Sequence, residues 1–279
     1  MKPNHPLAVI TGASSGIGKV FAEAYAARGY DLLIAGRDKK RLENVAASIR
    51  VATGVMVETI TGDLGTAGHR EELSQRIRRS GRADVLVNNA GFGLDKPFHR
   101  MGSAEILSMI GTHNLAMVEL TSAALPGMKA RGRGTIINVS SLASFLPGLC
   151  RTTYLATKAF MHQFSLGMSL ELAHFGIRVQ SLCPGFVKTN FQKAMMAGSL
   201  EKKYEHMNFM EPEEVVTSSL KSLEKGKTLC IPGRNYYFYY LLSRILPLSL
   251  FRRISRFRNE EQLRTDPVSI PMAIALPAA

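Results

Sequence analysis

The sequence predicts a doubly wound α/β fold: about seven parallel strands in one sheet, helices on both faces, and a C-terminal helical extension. Three observations lead there. Short apolar runs alternate with amphipathic stretches of helical length, and a glycine-rich turn separates the first run from the first such stretch. No repeat or linker divides the chain before about residue 232.

Leu7–Thr11 is apolar without alternation, as a strand buried on both faces must be. After the turn at 12–18, Ile17, Val20, Phe21 and Ala24 fall on one helical face, which ends near Gly29. Leu32–Ala35 is the second strand, and a charged helix begins near Asp38. The alternation continues as strand 55–61, helix 66–80, strand 83–88, a helical stretch 103–130, strand 134–140, helix 152–175, strand 177–182, helix 211–225 and strand 228–231. Residues 1–232 therefore read as one domain.

Residues 233–279 read as an amphipathic extension. Tyr236–Leu242 is an aromatic run; Ile245, Leu246, Leu248, Leu250, Phe251, Ile254 and Phe257 follow at helical spacing beside Arg252, Arg253, Arg256 and Arg258. Arg244 and Pro247 interrupt it, so the stretch is too short and polar to span a bilayer. A helix packed over the core or against a subunit is the favoured reading, with peripheral membrane contact through 236–258 as the alternative. Poor order is expected from about residue 259.

The net charge of +13 fits an anionic cofactor, substrate or membrane surface. Its sources are scattered over Lys39–Arg41, Arg76–Arg82, Lys129–Arg133 and Arg252–Arg258. No basic helix with base-reading side chains stands out, so nucleic acid is not an expected partner. Cys150, Cys183 and Cys230 have no metal-ligand spacing, no metal is expected, and free thiols packing as small hydrophobes are the natural reading. The N-terminus has no signal-peptide pattern, so the expectation is a cytoplasmic protein, membrane-associated if the extension binds lipid.

Gly12, Ser14, Ser15, Gly16, Ile17 and Gly18 lie in the turn between the first strand and helix. Glycine there lets backbone approach a pyrophosphate, and the helix N-terminus presents free N–H groups to that anion. The spacing G-x-x-x-G-x-G is one residue longer than the dinucleotide fingerprint. At the end of the second strand, where an NAD enzyme carries an acid for the ribose 2′-hydroxyl, stand Gly36 and then Arg37. A guanidinium pairs with a 2′-phosphate that a carboxylate would repel, so NADP(H) is the expected cofactor, with Ser14 a further donor.

Tyr154 and Lys158 lie one helical turn apart on one face. A nearby ammonium favours the phenolate and is expected to lower the pKa of Tyr154 from about 10 toward a useful range. Ser141, at the end of strand 134–140, borders the crevice where such folds bind ligands.

With these motifs the sequence resembles the short-chain dehydrogenase/reductase family, whose fold is of Rossmann type. The resemblance rests on Thr11–Gly18 (TGASSGIG), Gly62-Asp63-Leu64, Asn88-Asn89-Ala90-Gly91, Asn114, Ser140-Ser141, Tyr154–Lys158 (YLATK) and Pro184–Thr189, in family order over about residues 5–232. It implies an NADP(H)-dependent oxidoreductase that reduces a carbonyl to an alcohol. Tyr154 would serve as general acid, Ser141 would hold the oxygen, Lys158 would bind the nicotinamide ribose and acidify Tyr154, and Asn114 would hold a relay water. It also implies cofactor contacts by Asp63 and Leu64 (adenine), by Asn89, Ala90 and Gly91, and by Pro184, Gly185, Val187 and Thr189. Ser140 reads as structural, and His113 and His162 as packing or surface histidines. A homodimer or homotetramer is implied.

Phe191, Met195, Met196, Leu200, Tyr204, Met207, Phe209 and Met210 are expected to close an apolar substrate pocket, suited to a ketone, an aldehyde or a 3-oxoacyl compound. The competing reading is a non-catalytic NADP(H)-binding sensor or scaffold at a membrane or partner surface.

Overall fold

In the computed structural model, residues 5–94, 96–145, 151–189, 209–247 and 249 are described. Among them, seven strands form one sheet: β1 (Leu7–Thr11), β2 (Asp31–Gly36), β3 (Val57–Thr61), β4 (Ala83–Asn88), β5 (Gly134–Val139), β6 (Ile177–Leu182) and β7 (Leu229–Cys230). The spatial order is β3-β2-β1-β4-β5-β6-β7 and every pairing is parallel. Helices α1 (Gly16–Ala26), α2 (Lys39–Thr53), α3 (Ala67–Ser80), α4 (Ser103–Ile110), α5 (Ala116–Arg131), α6 (Thr152–Leu172), α7 (Pro212–Glu224) and α8 (Arg234–Ile245) follow in chain order.

Alternate residues of each strand feed two cores, because successive side chains point to opposite faces. Ala8, Ile10, Ile34 and Val87 join Phe21, Leu42 and Val215 beneath α1, α2 and α7. Leu7, Val9, Leu33 and Leu86 join Leu73, Leu120 and Leu172 beneath α3, α5 and α6. Every residue of β1 and β5 is buried, so the runs without alternation are strands covered on both sides.

Local chemistry sets the ends of the helices. Asp38 accepts the Arg41 N–H at 3.0 Å as the N-cap of α2, and Gly54 closes that helix in the left-handed region. At α7, Glu211 and Glu214 form a capping box with Pro212 in the first turn.

The stretch 103–130, expected as one helix, is a composite. A turn of π-helix, Gly111–Leu115, separates α4 from α5. Near it the backbone is crowded: a Cβ on Gly111 would lie 2.7 Å from the Gly65 carbonyl oxygen. The strand order reverses direction between β1 and β4. Their C-terminal ends therefore border the crevice in which this architecture binds ligands.

Candidate active site

The turn after β1 is held by side chains from the end of β4. Thr11 Oγ1 accepts the N–H groups of Asn89 and Ala90, both at 3.0 Å, and donates to the Val87 carbonyl. Asn89 Nδ2 donates to the carbonyls of Thr11 (2.9 Å) and Gly12 (3.2 Å). The amide of Asn89 thus shapes the turn. A Cβ on Gly18 would sit 2.3 Å from the Gly12 carbonyl oxygen, so that position admits only glycine. Thr189, across the turn, would be 2.9 Å from a Cβ on Gly16.

Ser15 is extended at the start of α1, with no side-chain cap and no acidic residue in the first turn. Its free N–H groups and the positive end of the helix suit a pyrophosphate. The residues present therefore fit a dinucleotide. Arg37 is exposed, and its guanidinium lies 5.6 Å from the Phe92 ring centroid, at the same end of the sheet. Ser14 lies close to Gly36, where a modest side chain would meet it at 3.4 Å.

Asp63 caps its own turn by accepting the Gly65 N–H at 2.8 Å, and Leu64 is buried in the core under α3 and α5. Val187 pairs with Met210 in an isolated bridge, which brings the two ends of segment 187–210 together. Gly185 lies against the Tyr236 ring, 2.4 Å from where a Cβ would be. Its lack of a side chain therefore makes room for α8.

Tyr154 and Lys158 occupy the first two turns of α6, both almost wholly buried. The Tyr154 hydroxyl is hydrogen-bonded to that of Ser141, which also accepts the Ala143 N–H at 3.1 Å. Lys158 Nζ donates to the Val139 carbonyl at 2.8 Å and lies 5.9 Å from the Tyr154 ring centroid. Ser140 Oγ donates to the Lys158 carbonyl at 2.7 Å, the structural part expected of it. Asn114 Nδ2 donates to the Thr157 carbonyl at 3.0 Å, anchoring the π turn to α6.

The electrostatics correct one expectation. Burial pushes the Tyr154 phenol above its ordinary value, against lowering by the Ser141 bond and the Arg151 charge. The ammonium of Lys158 was expected to lower it; instead Lys158 is itself driven down to about 8 by burial. Burial dominates at both groups, which are enclosed, and the ammonium is aimed at a backbone carbonyl. Burial also pushes the Cys183 thiol up to about 11, so it is protonated and inert.

Residues 6–199, more than half the chain, match the family model for short chain dehydrogenases. The chain belongs to the short-chain dehydrogenase family. A very-long-chain 3-oxoacyl-CoA reductase of Anas platyrhynchos is 37% identical over 193 residues, 67% of this chain and 61% of that relative. An NADP-dependent 3-hydroxy acid dehydrogenase of Salmonella typhi is 34% identical over 215 residues, 75% of this chain and 85% of its own. A short-chain dehydrogenase from Sphingobium yanoikuyae, solved with NADPH, superposes with a TM-score of 0.76 at 30% identity, over 98% of this chain and 99% of that one.

In this short-chain dehydrogenase the residues singled out from sequence follow the C-terminal ends of β1 to β6 or lie on the π turn and α6; Ser141 meets Tyr154, Lys158 lies beside Tyr154, Asn114 reaches α6, and Asn89 holds the Gly12 turn. Thr11, Thr157, His113 and Tyr236 fell within stretches noted in the sequence, but their contacts with Asn89, His113, Phe92 and Gly185 join residues far apart in the chain and were not read there. His113 is a buried packing residue and not a surface one; His162 is half-buried, its Nδ1 2.9 Å from Ser181 Oγ. The described cysteines, Cys183 and Cys230, are free and buried, while Cys150 lies outside the described residues.

The extension meets the site through α8. Tyr236 is buried, and Tyr240 packs edge-on against Phe145 with ring centroids 4.7 Å apart, just after Ser141. Tyr237, Phe238, Tyr239, Leu241, Leu242 and Ile245 are exposed. Among the described residues no helix is long and apolar enough to cross a membrane, and no cluster of three or more His, Cys, Asp or Glu could hold a metal ion. Of the expected pocket residues, Phe209 and Met210 are described; Phe191, Met195, Met196, Leu200, Tyr204 and Met207, like 250–279, lie outside.

Proposed function

We propose that this protein is an NADP(H)-dependent carbonyl reductase acting on an apolar ketone, aldehyde or 3-oxoacyl compound. The carrying observation is the hydrogen-bonded pair of half-buried Ser141 and buried Tyr154, with buried Lys158 one turn beyond it. NADPH supplies the hydride when bound. Tyr154 gives its proton to the substrate oxygen, and its raised pKa keeps that proton in place at neutral pH. Ser141 orients the same oxygen. Lys158 holds the nicotinamide ribose hydroxyls, and Asn114 links its own turn to α6 and carries the relay water.

Gly12–Gly18, Asn89–Gly91 and Pro184–Thr189 form the dinucleotide cradle, with Asp63 and Leu64 at the adenine. Arg37 takes the 2′-phosphate, a role supported by its exposed guanidinium and by Gly36 where an acid would otherwise stand. The 3-oxoacyl and 3-hydroxy acid chemistry of the two sequence relatives supports a substrate oxygenated at carbon 3. Phe145 and Tyr240 supply aromatic surface beside Ser141, and Phe186 packs edge-on with Phe209.

Residues 1–232 act as the catalytic domain and 233–279 as an appendage. Exposed Leu107, Leu115, Phe160 and Leu170 on and around α4 and α6 support a homodimer or homotetramer. The exposed aromatic face of α8 supports peripheral contact with anionic lipid by an otherwise cytoplasmic enzyme.

The test is NADPH consumption over a panel of ketones, aldehydes and 3-oxoacyl thioesters. Turnover with at least one apolar member is expected. Tight NADPH binding with no turnover on any would replace the reductase by the sensor reading. Liposome co-sedimentation of the full chain is expected to depend on anionic lipid, and no partitioning would remove the membrane contact.

A further inference from the structure

We infer that His113 is a positioning residue: a neutral imidazole that ties the cofactor loop at Gly91–Phe92 to the turn of α6 bearing Tyr154 and Lys158. Its Nε2 accepts the Phe92 N–H at 3.0 Å, and its Nδ1 lies 2.8 Å from Thr157 Oγ1. A backbone N–H can only donate, so Nε2 carries no proton. The Thr157 hydroxyl donates its own proton to the Tyr154 carbonyl at 2.8 Å, so Nδ1–H must be the donor in the pair with Thr157. Both partners fit the same tautomer, and the Phe92 N–H leaves no room for a second proton on Nε2.

The surroundings enforce this. The ring meets Phe92 and Tyr154 edge-on, with centroids 5.8 and 6.0 Å away. A Cβ on Gly91 would lie 2.9 Å from Nε2, so the glycine makes space for the imidazole. Burial and the Lys158 charge hold the ring well below its ordinary pKa.

The π turn explains how the grip is possible. In a regular helix successive side chains diverge by about 100°. Here neighbours His113 and Asn114 both reach Thr157, one at its hydroxyl and the other at its carbonyl. The wider turn lets two adjacent residues serve one partner, in keeping with the frequent placement of π-bulges at functional sites. Thr157 lies between Tyr154 and Lys158, so the grip fixes the direction in which both project.

Two measurements on the full-length protein test this. Nitrogen-15 NMR of the wild type is expected to show His113 as the Nδ1–H tautomer, with the ring still neutral where an ordinary histidine is protonated. An Nε2–H tautomer, or a charged ring at neutral pH, would overturn the assignment without any variant. Kinetics rest on the reductase reading and compare His113→Leu with His113→Gln, whose amide can both accept and donate. His113→Leu is expected to lower kcat about tenfold, with a smaller loss of NADPH affinity measured by cofactor fluorescence. His113→Gln should recover most of both. Equal loss in the two variants, or a drop in Tm alone, would mean that the imidazole only fills space. If the wild type turns over no carbonyl, the NMR result still decides the tether, so the two failures are separable.

Discussion

The Gly12–Gly18 turn and the Ser141–Tyr154–Lys158 set are built in opposite ways. In the first, side chains are missing and the backbone is the functional surface; a Cβ at Gly18 would meet a carbonyl oxygen at 2.3 Å. In the second, backbone carbonyls are the scaffold and buried polar side chains are the surface, Lys158 on Val139 and Ser140 on Lys158. The turn depends on shape and tolerates no added atoms. The proposed catalytic set depends on charge in a low-dielectric place, where desolvation sets the proton affinities.

The sharpest break in that comparison is Tyr154→Phe, which keeps the shape and removes the proton. A loss of at least about 100-fold in kcat with little change in NADPH affinity is expected from steady-state kinetics and fluorescence titration. An unchanged rate would remove Tyr154 from the mechanism. Gly18→Ala is the complementary experiment, altering shape and no charge. The clash is with backbone, so a destabilisation of about 1–3 kcal/mol and a clear loss of NADPH affinity are expected in urea unfolding and titration. Gly36→Ala, where a Cβ meets only Leu42 and Ser14 side-chain atoms at 3.4 Å, should fall within about 0.5 kcal/mol of the parent.

Charge gives a pH signature that shape does not. Because the Tyr154 pKa is raised, reduction should stay flat through neutral pH, while alcohol oxidation, which needs the phenolate, climbs by up to about tenfold per pH unit. Parallel profiles in both directions would contradict the acid/base assignment. Lys158 adds a smaller effect on stability. Its folded pKa of about 8 lies below the ordinary 10.5, so between these values the unfolded chain binds more protons and stability from this group rises with pH. Lys158→Met should lack that rise in pH-dependent unfolding and lose activity without losing Tm, since it removes a buried charge.

The same contrast explains what could be read from the sequence. The turn is contiguous, and glycine spacing records its shape directly; β4 and β6 were legible as strands at 83–88 and 177–182 in the strand–helix alternation. Tyr154 and Lys158 were legible because four-residue spacing fixes a shared helical face. Their proton affinities were not, since burial is a property of the assembled fold. The π turn at Gly111–Leu115 was hidden because one widened turn leaves the apolar pattern of 103–130 nearly intact. His113 was legible only as a packing residue, since Phe92 and Thr157 lie 21 and 44 positions away.

The Tyr236 ring occupies the space that a side chain at position 185 would fill. The appendage is thereby keyed into the loop that leaves β6, like a peg in a socket cut by glycine. Any side chain at 185 would have to push either the ring or the loop aside, so the seating of α8 is decided by one missing carbon.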